Sequence, residues 1–199
     1  MRSFLFLSLL LFAVSAVATP KKLVVLGDSL TEGYGVSREA AFPALLEKKI
    51  KDAKKDWTVV NAGISGSTSA SAVNRLKWML KSKPDLLILA LGANDGLRGL
   101  PTEELEKNLG AAIELIQKEK VPLILAGMMM PPNYSKEYTD KFAAVYPRLA
   151  KKYKIRLIPF LLEGIAGEAA MNQPDGIHPN EKGHAVLAEN IFKHIKEQL

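Results

Sequence analysis

The chain has no cysteine among its 199 residues. That excludes a disulfide framework, a thiolate nucleophile and cysteine-ligated zinc, so stability has to come from a buried core. Histidine is nearly as scarce, with only His178, His184 and His194. None of their spacings matches H-x-x-x-H or H-E-x-x-H, which leaves no case for a catalytic metal. Aromatic residues make up 7% of the chain and are not interleaved with basic ones, so no nucleic-acid surface is expected. No apolar run reaches the roughly 20 residues that span a bilayer.

What is present suits one domain, since 48% of the residues are hydrophobic and a chain of this length can bury a core without staples. Residues 1–18 read separately. Arg2 precedes an apolar run from Phe4 to Val14, and Ala16-Val17-Ala18 follows, which is the pattern of a signal peptide with its small-x-small cleavage site. Cleavage after Ala18, with Ala16 as the alternative, leaves a single domain over 19–199 and implies export to the periplasm or beyond. Without Arg2 the chain keeps 26 basic and 21 acidic residues. This excess is modest and scattered along the sequence. Its densest stretch, Lys48, Lys49, Lys51, Lys54 and Lys55, falls at the end of a helix-like segment, where cations suit the dipole. A weak preference for anionic lipid surfaces stays open.

Apolar β-rich runs alternate with segments of helical period. Strands are expected at Lys22–Leu26, Thr58–Asn61, Leu86–Leu91, Leu123–Met128 and Ile155–Ile158. Helices are expected near Ala41–Lys51, Ser69–Lys81, Thr102–Lys118, Glu137–Tyr153 and Asn180–Glu197. Five strands each followed by a helix make an α/β fold with one parallel sheet covered on both faces. Pro131-Pro132 makes Met128–Lys136 an irregular loop after the fourth strand.

Three motifs land at the carboxyl edge of that sheet, where ligands bind in open parallel sheets: Gly27-Asp28-Ser29 after strand one, Gly63 after strand two and Gly92-Ala93-Asn94-Asp95 after strand three. Taken alone, Gly-Asp-Ser is an ordinary turn. A serine hydroxyl needs an adjacent base, and the base needs an acceptor that fixes its tautomer. Asp175-Gly176-Ile177-His178-Pro179 offers both, because a three-residue gap in a tight turn lets the carboxylate reach Nδ1 while Nε2 faces the serine. Ser29, Asp175 and His178 are therefore the candidate catalytic residues. An oxyanion hole could draw on the Ser29 and Gly63 backbone N–H groups and the Asn94 amide. Asp28 can bond across its own turn. His184 and His194 lie in the last helix, carry no neighbouring acid at comparable geometry and read as structural or solvent-facing.

These blocks, Gly-Asp-Ser-Leu, Asn-Ala-Gly-Ile-Ser-Gly, Gly-Ala-Asn-Asp and Asp-Gly-Ile-His-Pro, stand in the order of the SGNH family of GDSL hydrolases, which the chain resembles throughout 19–199. The resemblance implies a flavodoxin-like three-layer sandwich with a five-stranded parallel sheet in the order 2-1-3-4-5. It also implies ester and thioester hydrolysis through an acyl-enzyme on Ser29 without a cofactor. Within the family the chain is most similar to bacterial thioesterases, lysophospholipases and arylesterases. Asn94–Leu100 resembles that group's switch loop, which moves when acyl chains bind. Substrate contacts are accordingly expected from Asp28, Asp95, Gly96, Leu97, Leu100 and Ile177, with an acyl lining that includes Met129, Tyr134 and Phe142. Ala62 after Asn61 and the run Met128-Met129-Met130 depart from the family pattern. The expected partner is a small acyl ester or lysophospholipid, met by a monomer. A carbohydrate or small-ester acetylesterase, or a catalytically silent lipid-binding protein, are the competing readings.

Overall fold

The computed structural model describes residues 19–199, so the expected signal peptide lies outside the described residues. Five parallel strands form one sheet: β1 (Lys21–Gly27), β2 (Trp57–Gly63), β3 (Leu86–Ala90), β4 (Leu123–Ala126) and β5 (Arg156–Ile158). Their order is β2-β1-β3-β4-β5, as expected. β3 and β4 read Leu-Leu-Ile-Leu-Ala and Leu-Ile-Leu-Ala and are buried at every position, because both faces of the sheet are covered. The edge strand β2 is only partly buried, and Glu47 accepts the Val59 N–H at 2.7 Å, occupying a donor that would otherwise invite another strand.

Helices cover the two faces. On one, α2 (Phe42–Asp52) packs against α7 (Glu181–Ile195); on the other, α3 (Ala72–Met79), α5 (Thr102–Lys118) and α6 (Lys136–Tyr153) pack in succession. Three of them start on identifiable local chemistry. Pro43 sits in the first turn of α2, Ser135 caps α6 by accepting the Tyr138 N–H, and Asn180 caps α7 by accepting from Lys182 and Gly183. α5 runs over the residues expected. The expected helix 69–81 is shorter, with 3₁₀ turns at Ser69–Ser71 and Leu80–Ser82 flanking α3. Two short helices were not anticipated: α1 (Ser29–Glu32) and α4 (Ala93–Leu97). Both follow strand ends directly and are too short to show a period. β1 lies between β2 and β3, so the order reverses there and a crevice opens between the ends of β1 and β3, where Ser29 and Asn94 stand.

Candidate active site

β1 ends at Gly27 and the chain turns at once into α1. Asp28 is its N-cap, with Oδ1 accepting the Leu30 N–H at 3.0 Å, and Ser29 is the first helical residue. Its N–H therefore belongs to the orphan donors of a helix start and has no protein partner among the described residues. The opposite wall is a hairpin-like loop closed by the bridge between Asn172 and Pro179 and by the Gln173 N–H bond to the His178 carbonyl at 2.8 Å. Within it Asp175 Oδ1 accepts the N–H groups of Ile177 and His178, both at 3.0 Å. Its Oδ2 lies 2.7 Å from His178 Nδ1, and His178 Nε2 lies 3.0 Å from Ser29 Oγ. Partial burial pushes the Asp175 carboxyl up, but the two amides and the imidazole outweigh it and hold the group below its ordinary value. Tyr34 lies against the imidazole with ring centroids 4.7 Å apart, and Gln173 Nε2 donates to the Tyr34 carbonyl at 2.6 Å. Sequence reasoning missed both, because their partners are distant in the chain.

This line of groups opens onto a cavity of about 430 Å³. Its apolar walls are Leu30, Leu97, Met128–Met130, Phe160, Leu162 and Ile177, with Asn94 at the polar end. Leu97 and Ile177 thus stand where substrate contacts were expected. Four other expected contacts do not. Asp28 is 1% exposed and spent on its cap. Asp95 is buried and holds Ser69, accepting its N–H at 2.8 Å and its hydroxyl at 2.5 Å. Gly96 is buried against Met130 and Phe142, and Leu100 is outside the cavity lining, its carbonyl accepting from Tyr138 at 2.8 Å. Tyr134 and Phe142 are also outside it: the Tyr134 hydroxyl donates to the Leu97 carbonyl at 2.9 Å, and Phe142 is in the core. The two tyrosines fasten the Leu97–Leu100 segment from behind instead of touching a ligand.

Gly63 does not fit the donor role expected of it. Its N–H is donated to Asn61 Oδ1 at 2.9 Å. The glycine is needed for another reason, since a Cβ there would sit 2.1 Å from the Glu32 backbone nitrogen. Three residues on, Gly66 is exposed, has a φ of +76° and has an N–H without a protein partner among the described residues. Its loop is anchored at successive residues. Glu32 accepts the Ser65 N–H at 2.6 Å, Arg98 Nη2 donates to the Gly66 carbonyl at 2.9 Å, and Asn94 Nδ2 donates to the Ser67 carbonyl at 3.1 Å. A second Asn94 N–H remains. No signal in Asn-Ala-Gly-Ile-Ser-Gly separates Gly66 from Gly63, because the positive φ that glycine adopts freely shows only in the fold.

Burial pushes the Asp28 carboxyl up to about 6, against the opposing pull of the Leu30 N–H and the charges of His178 and Arg75. Burial also depresses His184, with His178 adding to the effect, to about 4. His184 is 1% exposed and its Nδ1 accepts the Phe42 N–H at 3.2 Å, so of the two readings offered for it the structural one describes its place. The two shifts pull stability in opposite directions. Asp28 contributes stability that is present below its unfolded value of 3.8 and lost as pH rises through about 6. His184 contributes stability that is present above 6.5 and lost as pH falls through about 4. Between those limits they offset each other. Asp28→Asn keeps a cap oxygen and removes one arm, so on acidification from pH 6 to 4.5 it should lose about 2 kcal/mol of unfolding free energy relative to wild type. Urea titrations of both proteins across that range measure the difference, and parallel curves would contradict the assignment.

A model of the GDSL-like Lipase/Acylhydrolase family matches residues 25–186. The chain belongs to that family. It is an acyl ester hydrolase, and relatives with those activities in their names match it nearly end to end. Esterase TesA of Pseudomonas aeruginosa is 39% identical over 192 residues, 96% of each chain. Thioesterase 1/protease 1/lysophospholipase L1 of Escherichia coli K12 is 38% identical, over 97% of this chain and 90% of that one. The crystal structure of a TesA superposes with a TM-score of 0.87 at 39% identity, covering 90% of this chain and all of the other.

Proposed function

We propose that the protein is an exported serine esterase of medium and long acyl chains, acting on lysophospholipids and related esters and thioesters as a monomer. The observation that carries the reading is the line from Asp175 through His178 to Ser29, 2.7 and 3.0 Å long, opening onto an apolar cavity. Ser29 Oγ attacks the carbonyl carbon while His178 Nε2 takes its proton. The imidazolium so formed is held by Asp175 and returns the proton to the departing alkoxide or thiolate. His178 then deprotonates a water that attacks the acyl-enzyme, and as the carbon–Oγ bond breaks the imidazolium returns that proton to Ser29 Oγ and the acid leaves. Negative charge on the former carbonyl oxygen is met by the Ser29 N–H, the second Asn94 N–H and the Gly66 N–H. All are fixed before substrate arrives, so little reorganisation is needed.

The cavity walls bear on substrate class. Each buried methylene is worth up to about 0.8 kcal/mol, so a lining of leucine, methionine and phenylalanine favours an acyl chain over an acetyl group attached to sugar. Export rests on residues 1–18, whose charged start, apolar centre and Ala-Val-Ala ending suit a cleaved signal. Hydrolysis of p-nitrophenyl esters from acetyl to palmitoyl tests the substrate reading. kcat/KM should rise at least about tenfold from acetyl to octanoyl, whereas activity confined to acetyl would exclude an acyl-chain enzyme.

A further inference from the structure

The basic residues that look scattered in sequence gather in the fold at one edge of the sheet. Where helices hand over to strands, and at both ends of the described chain, lie residues 19–22, 51–56, 81–85, 118–122, 151–156 and 193–199. These segments hold fifteen lysines and arginines against five acidic residues, while the rest of the described chain holds eleven against sixteen. A protein of modest net charge is therefore strongly polarised, positive at the edge remote from Ser29 and negative elsewhere.

Helix dipoles account for part of this, since α2, α3, α5 and α6 end at that edge and cations suit helix C-termini. They do not account for Lys21 and Lys22, which open β1, or for the choice of residue at the turns. Among the described residues, all four non-glycine residues with positive φ are lysines: Lys54, Lys83, Lys120 and Lys154, at φ of 49–58°. Each occupies a left-handed position after a helix where glycine would cost less. Trp78 adjoins these turns at the end of α3, 68% exposed, with Lys81 Nζ 3.9 Å from its ring centroid. An exposed tryptophan among lysines suits the headgroup region of a bilayer. The chain also enters β1 from this edge, at Thr19-Pro20.

We infer that this edge docks on an anionic phospholipid surface. β1 is seven residues long, so the serine edge stands about 20 Å away and faces the aqueous side, from which substrates reach it. Nucleic acid is the poorer fit, because the edge carries no series of exposed aromatics for bases to stack on.

Binding of residues 19–199 to vesicles of phosphatidylcholine, with and without phosphatidylglycerol, tests the inference. The solved TesA chain, matched in full by 90% of this one, is a folded unit of that extent. The protein should sediment with anionic vesicles only and be released by salt. Trp78 emission should shift to the blue on binding, while Trp57, 4% exposed, contributes nothing new. The variant Lys54→Gly, Lys83→Gly, Lys120→Gly, Lys154→Gly should be at least as stable as wild type, hydrolyse esters normally, and bind on the order of 10³-fold more weakly. Trp78→Ser should weaken binding and abolish the shift. Replacing Lys107, Lys136, Lys141 and Lys182 by glutamine removes the same charge elsewhere and should leave most binding in place. Equal loss in the two charge variants, binding to neutral vesicles alone, or preference for duplex DNA over anionic vesicles would each overturn the proposal. Ser29→Ala should bind as wild type does, so failure here is distinct from failure of the serine mechanism.

Discussion

Ser29→Ala should abolish hydrolysis of every ester tried, with kcat falling by at least about 10⁴-fold, and should leave the fold untouched. Among the described residues the side chain bonds only to His178 Nε2, and nothing in the core rests on it. Alanine suits the first turn of α1 at least as well as serine, and Asp28 still caps the helix through the Leu30 N–H. Thermal unfolding should therefore stay close to wild type. Covalent labelling by a fluorophosphonate should vanish, because the reagent needs the activated Oγ. The Ser29→Ala, His178→Ala double variant should be scarcely slower than Ser29→Ala alone, since groups that act as a unit are grossly non-additive. A folded Ser29→Ala protein with undiminished turnover would remove Ser29 from the reaction.

The sequence made the serine, acid and base legible because each stands in a short local motif whose chemistry is self-contained. Asp175 and His178 need only a three-residue turn to meet, and the turn forms as expected. The strand order followed from a resemblance, the strand positions from apolar runs such as Leu86–Ala90. Burial decided what was missed. Asp95 and Gly96 adjoin Asn94 in the same motif, yet α4 turns them inward, one onto Ser69 and the other against Met130. Successive helical residues point in different directions, and a helix this short shows no period to mark which ones face the core. The two glycines of Asn-Ala-Gly-Ile-Ser-Gly look alike in sequence, while only the packing of α1 against β2 shows that the first is a steric need. The polarity of charge was hidden for a related reason: the lysines that form one edge are separated by whole helices in the chain.

Asn94→Ala should lower kcat by about 10²- to 10³-fold while KM changes little. The amide has two N–H groups, one bonded to the Ser67 carbonyl at 3.1 Å and one left for the oxygen that becomes charged. The first bond orients the second. Because the ground-state carbonyl is a weak acceptor, losing the donor costs most where charge has developed, and the deficit falls on kcat. A purely structural part for Asn94 predicts something different, namely a loosened Ser65–Ser67 loop, a lower Tm and a raised KM. Asn94→Asp separates the two. It keeps the shape of the side chain but sets a carboxylate against the developing oxyanion, so it should be slower than Asn94→Ala although it fills the space better. Phosphonylation of Ser29, which passes through a similarly charged state, should slow in proportion to ester hydrolysis across both variants. If phosphonylation stayed fast while kcat fell, Asn94 would act on a later step than the attack of Ser29, and the oxyanion hole would rest on the Ser29 and Gly66 N–H groups alone.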